Sequence, residues 1–367
     1  MSIWKGKGLK IGDLIAKLPI IQGGMGVGIS LSGLASAVAN QGGIGVISVA
    51  AIGSCEKDFG SNYLEANIRA LKNEIRKARE LTNGILGVNI MVALSNFAEL
   101  ATAAIEEGID IIFSGAGLPL NLPDVLKDSP VGKRTMLVPI VSSARAASII
   151  AKKWFDKYSY VPDAIVVEGP RAGGHLGFKA DQLENPDFNL ENLVSEVVIE
   201  AKKMEENSDK KVPVIAAGGI FSGADIYKIM ELGASGVQMA TRFVTTDECD
   251  ASIGFKNSYL DCRQEDIGII HSPVGMPGRA IMNNFLEDVE AGVRKPYKCP
   301  YHCIVTCKEE NSPYCIALAL INAKNGKVKN GFAFAGENAY KCEKIVSVKE
   351  LVGTITDEYD AEAMKQH

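Results

Sequence analysis

The feature that most constrains the fold of this chain is a pattern that repeats eight times within roughly the first 240 residues. Each repeat opens with a short apolar run rich in β-branched residues, ends that run with a small or polar residue, and continues with helical spacing. Such runs indicate strands buried on both faces, and their alternation with helices indicates a parallel sheet. The runs begin near Pro19, Gly43, Ile85, Ile109, Arg134, Asp163, Val212 and Gly236.

The residues that end these runs favour a closed barrel over an open sheet. Eight units match the (β/α)8 TIM barrel, in which all strand ends meet on the face that carries the active site. An open doubly wound sheet is the alternative, but the segment from Gly24 to Gly28 lacks the third glycine and the following acid of a dinucleotide-binding fingerprint. We therefore predict an α/β fold, a TIM barrel. Its strand-end residues are Gln22, Ser48, Asn89, Ser114, Ser142, Glu168, Gly218 and Thr241.

One of the intervening helices carries clear signals at both ends. Ser222 is followed three residues later by Asp225, which resembles a capping box, and Gly233 lies where a glycine commonly ends a helix. After Thr246 the repeating pattern stops and a cysteine-bearing region follows. We predict a barrel domain over residues 1–245 and a smaller, mostly helical lobe with a tail over residues 246–367, which covers the mouth of the barrel.

Charge and composition bear on partners and location. The formal net charge of −5 and the lack of basic runs indicate no nucleic-acid surface. Residues 18–55 contain no charged residue, but Gln22, Asn40 and Gln41 interrupt their apolar character, so we expect no membrane span. No signal peptide is evident, and eight cysteines fit a reducing compartment, so we expect a cytoplasmic protein. The oligomeric state stays open, with a homodimer as one option.

The sixth run leads into the stretch with the richest chemistry. Glu168 ends the strand, a loop containing Gly173 and Gly174 follows, and His175 comes directly after these glycines. Glycines let the backbone approach a ligand, and histidine is the side chain best suited to moving a proton near neutral pH. The alternative is a histidine satisfied within a tight turn. Because His271, His302 and His367 lie beyond the barrel, His175 is the candidate base.

The last two repeats have glycine-rich or small residues at their strand ends. These are Ala216 to Ile220 after the seventh run and Gln238 to Phe243 at the eighth. TIM barrels commonly bind phosphate between these two loops through backbone N–H groups. The alternative is ordinary packing at a barrel rim, but the presence of both loops favours phosphate binding.

Five motifs, taken in order, make the chain recognisable. PIIQGGMG, the pair Val88-Asn89, EGPRAGGHLG, PVIAAGGI and GVQMATRF resemble the nitronate monooxygenase family. Flavin-dependent enoyl-acyl-carrier-protein reductases of the FabK type share this pattern. The resemblance covers roughly Pro19 to Phe243, together with the connector from Pro277 to Phe285. It implies an FMN-dependent oxidoreductase acting on a small molecule, with NAD(P)H as a further co-substrate if the chain is a reductase.

The resemblance also implies roles for individual residues. His175 matches the histidine assigned as catalytic base in the monooxygenases. The expected FMN-binding residues are Gly23, Gly24 and Met25 against the flavin ring, Asn89 as its hydrogen-bond partner, Glu168, Gly173 and Gly174 close to the cofactor, and Ala217, Gly218, Gly219, Ala240 and Thr241 at the phosphate, with Gln238 nearby.

Two positions depart from the family pattern. Ala240 replaces the glycine usual before this threonine, so the phosphate loop is expected to be less open. Pro170-Arg171 stands where an acidic or small pair is more common, and Arg171 could bind an anionic substrate group or be structurally paired.

These observations leave three functional readings. The first is oxidation of nitronates or nitroalkanes with oxygen, with His175 as base. The second is an NAD(P)H-dependent enoyl-thioester reductase in which FMN relays hydride. The third, least favoured, is a barrel that binds flavin or a phosphorylated metabolite without turnover.

The cysteines of the C-terminal region raise a separate question. Cys299, Cys303, Cys307 and Cys315 could hold an iron–sulfur cluster or zinc, and their i, i+4, i+8 spacing would place three thiols on one helix face. The spacing matches no standard metal-binding pattern, so free, buried thiols are the favoured prediction and no metal is expected.

Overall fold

The computed structural model describes residue 4, residues 8–127 and 135–293, residue 299 and residues 301–366. Eight parallel strands close into a barrel in the order β3-β4-β5-β6-β7-β8-β10-β11, which confirms the predicted TIM barrel. The strands are β1 (Leu9–Ile11), β2 (Leu14–Ala16), β3 (Ile20–Gln22), β4 (Ile44–Ser48), β5 (Ile85–Met91), β6 (Ile111–Gly115), β7 (Met136–Val141), β8 (Ile165–Glu168), β9 (Gly174–His175), β10 (Val214–Ala217), β11 (Gly236–Met239), β12 (Ile267–His271) and β13 (Pro277–Ile281).

All eight predicted runs contain a barrel strand. The start predicted for the fifth run, Arg134, lies outside the described residues, and β7 begins at Met136. The helices are α1 (Ser32–Asn40), α2 (Tyr63–Leu81), α3 (Phe97–Glu106), α4 (Ala144–Tyr158), α5 (Leu190–Glu206), α6 (Gly223–Glu231), α7 (Thr241–Val244), α8 (Ile253–Leu260), α9 (Asn284–Glu290), α10 (Ile316–Lys324) and α11 (Val348–Gln366). None of the helices in the described part of the chain combines the length and apolar character needed to cross a membrane.

The strand register places the predicted strand-end residues beside one another. Ser48 lies opposite Asn89, and Glu168 lies opposite Ala217. Side chains in the lower barrel fill its interior, and the β1–β2 hairpin packs against them. The other end of the barrel, where the strands finish, is therefore the end with room for a ligand. The interior cluster comprises Leu9, Ile11, Ala16, Ile21, Ile44, Val46, Ile111, Phe113, Val138, Ala164, Val166, Ile215 and Ala217.

Helix α6 begins and ends as predicted. The Ser222 hydroxyl accepts a hydrogen bond from the Asp225 N–H at 3.1 Å, and the Asp225 carboxylate accepts one from the Ser222 N–H at 2.8 Å. Gly233 follows the helix with φ +100°, a conformation that favours glycine. The capping box and the terminal glycine are thus confirmed.

The region after the barrel strands combines helices α8 to α11 with strands β12 and β13 and long loops, and its last helix returns to the barrel. Helix α11 packs against α6 and α1, so it occupies the place between the last and first helices of the ring. The two helices approach closely, because a Cβ atom at Gly223 of α6 would overlap the Ile355 carbonyl oxygen and the Tyr359 nitrogen of α11. The predicted division between residues 245 and 246 stays a prediction, and it assigns this helix to the lobe.

The expectation that three thiols lie on one helix face is wrong. Residues 301–308 form turns and an isolated bridge between Leu94 and Ile304 rather than a helix. The Ser95 N–H donates to the Cys303 carbonyl at 3.1 Å, and the Val305 N–H donates to the Ala93 carbonyl at 2.9 Å. These backbone hydrogen bonds to the loop after β5 compete with helical pairing, so the segment follows that loop instead.

Candidate active site

A cavity of about 300 Å³ lies at the C-terminal ends of the barrel strands. All of the residues predicted for the site line this one cavity, although they come from the ends of five different barrel strands and the loops that follow. They are Gly23, Gly24, Met25, Asn89, Glu168, Gly173, Gly174, His175, Ala217, Gly218, Gly219, Gln238, Ala240 and Thr241. The structure thus brings the predicted set together, while the role of each residue stays a prediction.

The loop after β3 is fixed by two buried polar side chains. Gln22 donates through Nε2 to the Gly23 carbonyl at 2.5 Å and accepts at Oε1 from the Val46 N–H at 3.0 Å. The Ser30 hydroxyl accepts from the Met25 N–H at 2.9 Å and donates to the Met25 carbonyl at 3.3 Å. Both side chains are fully buried, so they hold the loop in shape rather than contact a ligand.

Gly24 lies directly against Asn89. A Cβ atom at Gly24 would overlap the Asn89 Cβ, and its next neighbours would be Asn89 Cγ at 3.0 Å and Val46 Cγ1 at 3.4 Å. The strand end at β5 can therefore place its amide beside the loop only because residue 24 has no side chain. This close approach leaves a flat backbone surface next to the Asn89 amide.

The loop after β10 has two successive glycines in the left-handed region. Gly218 has φ +91° and Gly219 has φ +88°. Added Cβ atoms would lie 2.7 Å from the Gly169 carbonyl oxygen and 2.8 Å from Arg171 Cβ respectively, so side chains are disfavoured by both backbone and packing. Glycine-rich turns of this kind can present backbone N–H groups to an anion.

Ala240, the departure from the family pattern, fits its position. Its φ of −122° is ordinary for any residue, and its methyl group lies where a Cβ at Gly23 would be 3.4 Å away. Thr241, the next residue, opens the short helix α7, and its Oγ1 faces Gly336 closely enough that a Cβ there would be 2.7 Å away. The alanine therefore does not require a strained backbone at the predicted phosphate loop.

Glu168 lies at the C-terminal end of β8 and lines the cavity. Burial raises the pKa of Glu168 to about 7, because an ionised carboxylate loses hydration there. The carboxyl group therefore holds a proton much nearer to neutral pH than an exposed glutamate does. Near neutral pH this group carries less negative charge than an exposed glutamate would.

His175 lies in the short strand β9, which pairs with strand β13 of the C-terminal region. Strand β9 pairs with β13, with His175 opposite Gly278. The ring Nε2 lies 2.7 Å from Ser272 Oγ, and the ring packs edge-on against Phe334 at a centroid distance of 4.9 Å. Burial lowers the pKa of His175 to about 4, so the imidazole is neutral at pH 7. The ring is hydrogen-bonded, as the alternative prediction held, but His175 lies in a strand rather than a tight turn. The ring also lines the cavity.

Arg279 holds the loop between Glu168 and His175 and was assigned no role by sequence reasoning. The side chain is 5% exposed, and its Nη1 donates to the carbonyl oxygens of Pro170 and Ala172, the latter at 3.2 Å. Burial lowers the pKa of this guanidinium without neutralising it. The only sequence signal for Arg279 was its place in the Pro277–Phe285 connector. The connector's sequence did not indicate which residues Arg279 contacts.

Arg171 is paired with an acid rather than directed at the cavity alone. Its Nε lies 3.1 Å from Glu337 Oε2, and both side chains are substantially exposed, at 68% and 41%. An exposed pair of this kind contributes little to stability. Of the two readings left open, structural pairing is the one seen.

A segment of the C-terminal region forms the far wall of the cavity. The Tyr259 hydroxyl donates to the Phe334 carbonyl at 2.5 Å, and the Asn338 amide donates to the Gly219 carbonyl at 2.7 Å. Gly173 packs so closely on this wall that a Cβ there would lie 2.5 Å from the Ala335 carbonyl carbon. Sequence reasoning missed these wall residues, which are Phe334, Ala335, Gly336, Glu337 and Asn338.

Comparison with known proteins places the chain among oxidoreductases. A probable nitronate monooxygenase of Staphylococcus aureus is 29% identical over 305 residues, which cover 75% of this chain and 78% of that protein. A Mycobacterium tuberculosis protein named (3aS,4S,5R,7aS)-5-hydroxy-7a-methyl-1-oxo-octahydro-1H-indene-4-carboxyl-CoA dehydrogenase is 27% identical over 276 residues, covering 75% and 66% respectively. Among solved structures, FabK from Thermotoga maritima superposes with a TM-score of 0.72 at 26% identity, covering 95% of this chain and 94% of that one.

The family profile gives the broadest match. The profile described as nitronate monooxygenase spans residues 9–358, which includes both the barrel and the wall that closes the cavity. The cavity, its glycine-lined strand ends and its half-buried histidine all lie within that span. This chain therefore belongs to the nitronate monooxygenase family and is a flavin-dependent oxidoreductase.

Proposed function

We propose that the chain is an FMN-dependent nitronate monooxygenase, which oxidises alkyl nitronates or neutral nitroalkanes with oxygen to a carbonyl compound and nitrite. The observation that carries this proposal is a neutral, half-buried imidazole in the same cavity as the glycine-lined strand ends. The named function of the S. aureus relative supports the same substrate class.

The cavity residues suit FMN. Gly23 and Gly24 offer a surface without side chains beside the Asn89 amide, which suits a flat ring with hydrogen-bonding edges. The turn at Gly218 and Gly219, together with the Thr241 hydroxyl, suits a phosphate group. When bound there, FMN would accept an electron from the nitronate and make it available to oxygen.

His175 supplies the proton chemistry when the substrate is a neutral nitroalkane. Its neutral imidazole can take the Cα proton, and the Ser272 hydroxyl at Nε2 holds the ring in orientation. Arg279 and the β9–β13 pairing fix the loop that carries it. Because burial raises the pKa of Glu168 to about 7, its carboxyl group carries less negative charge near neutral pH than an exposed glutamate, which reduces the repulsion of an anionic nitronate.

The test is anaerobic reduction of the flavin in the purified protein by a nitronate, NADH, NADPH and an enoyl thioester, side by side. We expect the nitronate to bleach the flavin, with oxygen uptake in air. His175→Ala should slow turnover of the neutral nitroalkane by roughly 100-fold or more while sparing the preformed nitronate. His271→Ala, outside this cavity, is the matched control. Unchanged neutral-nitroalkane turnover in His175→Ala would remove the histidine from this role.

A second function, enoyl-thioester reduction with NAD(P)H, has an observation of its own. A further cavity of about 450 Å³ is lined by Ser272, the same residue that holds His175, and by Ile270, Leu286, Val289 and Tyr314. Such an apolar space beside the site suits the arm of an acyl thioester. FabK and the CoA-named relative support this chemistry. Steady NAD(P)H consumption with an enoyl thioester, without oxygen uptake on nitronate, would favour it over the monooxygenase.

The remaining proposals concern scope and organisation. A bound flavin that neither nitronate nor NAD(P)H bleaches would favour the third reading, a binding barrel without turnover. The 1–245 and 246–367 division and the homodimer are likewise proposals. Limited proteolysis tests the division, and light scattering at several concentrations tests the dimer.

A further inference from the structure

A third cavity lies in the C-terminal region. Its volume is about 520 Å³, and it is lined by all four cysteines of the C-x3-C-x3-C-x7-C run. We refer to Cys299, Cys303, Cys307 and Cys315 as the four-cysteine site. All are free thiols, and Cys303 is buried.

The backbone path explains how four thiols in one short run reach one cavity. A continuous helix would separate Cys299 from Cys307 by about 12 Å along its axis, at 1.5 Å per residue. The observed turns and the bridge to Leu94 instead fold the segment back on the loop after β5. Cys315 then faces the cavity from the N-terminus of α10.

The four thiols face one shared cavity. Cys303 is the buried member, and Cys299, Cys307 and Cys315 are partly exposed around it. Four thiols gathered in this way repel as thiolates unless a cationic group lies between them.

Two of the sulfur atoms already have polar neighbours. The His302 N–H donates to Cys299 Sγ at 3.4 Å, and Cys307 Sγ lies 3.5 Å from Ser312 Oγ. Hydrogen bonds to ligand sulfur atoms help to set the properties of iron–sulfur centres. On the other side, the rings of Tyr63, Tyr301 and Phe59 form an aromatic cluster, and Cys303 and Cys315 lie near Tyr63.

The spacing of the thiols argues against a single zinc ion. Thiolates that share one zinc lie about 4 Å apart, because each Zn–S bond is about 2.3 Å. Within the described residues, the one group of potential ligands whose atoms all lie within 4.8 Å of one another is Cys299, His302 and Glu309. Zinc bound there would use a single thiol of the four. A larger, polynuclear centre can use all of them.

We propose that the four-cysteine site binds a [4Fe–4S] cluster, with each thiolate ligating one iron. This departs from the prediction of free thiols, because the fold supplies a shared cavity that the spacing did not reveal. The site is close to the flavin cavity: Leu320, which lines that cavity, lies five residues after Cys315, or about 8 Å along α10.

The full-length protein, purified without oxygen and reconstituted with ferrous iron and sulfide, tests the proposal. We expect about four iron and four acid-labile sulfide atoms per chain. Cys303→Ser and Cys315→Ser should each lose most of the iron. Cys55→Ser, an exposed cysteine outside the site, should keep all of it.

Flavin content and circular dichroism of each variant separate cluster loss from unfolding. A Cys303→Ser protein that is folded and holds flavin but lacks iron supports the proposal. Three results would overturn it: reconstituted parent protein without sulfide, stoichiometric zinc in place of iron, or full iron content in both serine variants. None of these readouts depends on which substrate the flavin site accepts, so the proposed function can fail independently.

Discussion

The strand-end cavity, which we propose holds the flavin, and the four-cysteine site are built in opposite ways. The first gathers residues from strand ends spread between Gly23 and Thr241, and much of its surface is backbone. The second takes its thiols from a single run of the chain, residues 299–315, and depends on side chains. The residues of a site built from repeated units can be predicted from the spacing of the repeats. The residues of a site built from one irregular loop cannot be predicted in this way.

The largest effect is expected from a side chain added to the backbone surface of the barrel site. Gly24→Val would place branched carbon atoms onto the Asn89 side chain and fill the surface expected to face the flavin ring. We expect purified Gly24→Val protein to hold less than a tenth of the parent's flavin, measured by absorbance after denaturation.

Gly60→Val is the matched control, because a Cβ at Gly60 meets no atom within 4 Å. It should retain its flavin. Iron in reconstituted Gly24→Val should equal that of the parent, since the two sites share no thiol. Full flavin content in Gly24→Val would contradict the close-approach argument.

Glu168, the half-buried acid of the barrel site, gives the next largest effect. The pKa of Glu168 is raised by burial to about 7, above its value in the unfolded chain, so the folded state binds its proton more tightly. The associated stability is present below about pH 4.5 and is lost as pH rises towards 7. Glu168→Gln removes this dependence, so the variant should exceed the parent at pH 8 by up to about 3 kcal/mol.

Urea unfolding of flavin-free parent and Glu168→Gln at pH 5, 6, 7 and 8 measures the difference. His175 acts in the opposite direction, because its lowered pKa makes stability fall as pH drops from about 6.5 towards 4. That contribution is common to both proteins and cancels in the comparison. Parallel curves for the two proteins would show that Glu168 ionises as readily as an exposed acid.

The smallest predicted effect concerns the wall that the C-terminal region provides. Tyr259→Phe deletes the hydroxyl that donates to the Phe334 carbonyl and leaves that carbonyl without this donor. We expect a loss of about 1 kcal/mol in unfolding free energy and a weaker hold on flavin, read by urea titration and equilibrium dialysis. Tyr340→Phe serves as a control away from the cavity, and equal behaviour of the two variants would count against a role for the wall.

The barrel and its cavity were predictable because short-range patterns determine them. Each apolar run predicts a strand, eight parallel strands close, and closure brings Asn89, Glu168 and Gly218 to one end whatever lies between them. The role of Arg279 was not predictable in this way. Its contact with Pro170 and Ala172 joins positions more than 100 residues apart, and no periodicity connects them.

The four-cysteine site also could not be predicted from local sequence patterns. Its i, i+4, i+8 spacing is helical, yet backbone hydrogen bonds to Ala93 and Ser95 override that local preference. The wall from Phe334 to Asn338 was missed because it carries no strand or helix pattern. In both cases the deciding interactions are made with distant segments, which a single sequence does not reveal.

The return of α11 to the ring of helices has a mechanical consequence. The chain leaves the ring of helices after α7 and returns to it at α11, so the segment between these helices is anchored at both ends. A cover tied in this way cannot swing open as a rigid flap on one hinge.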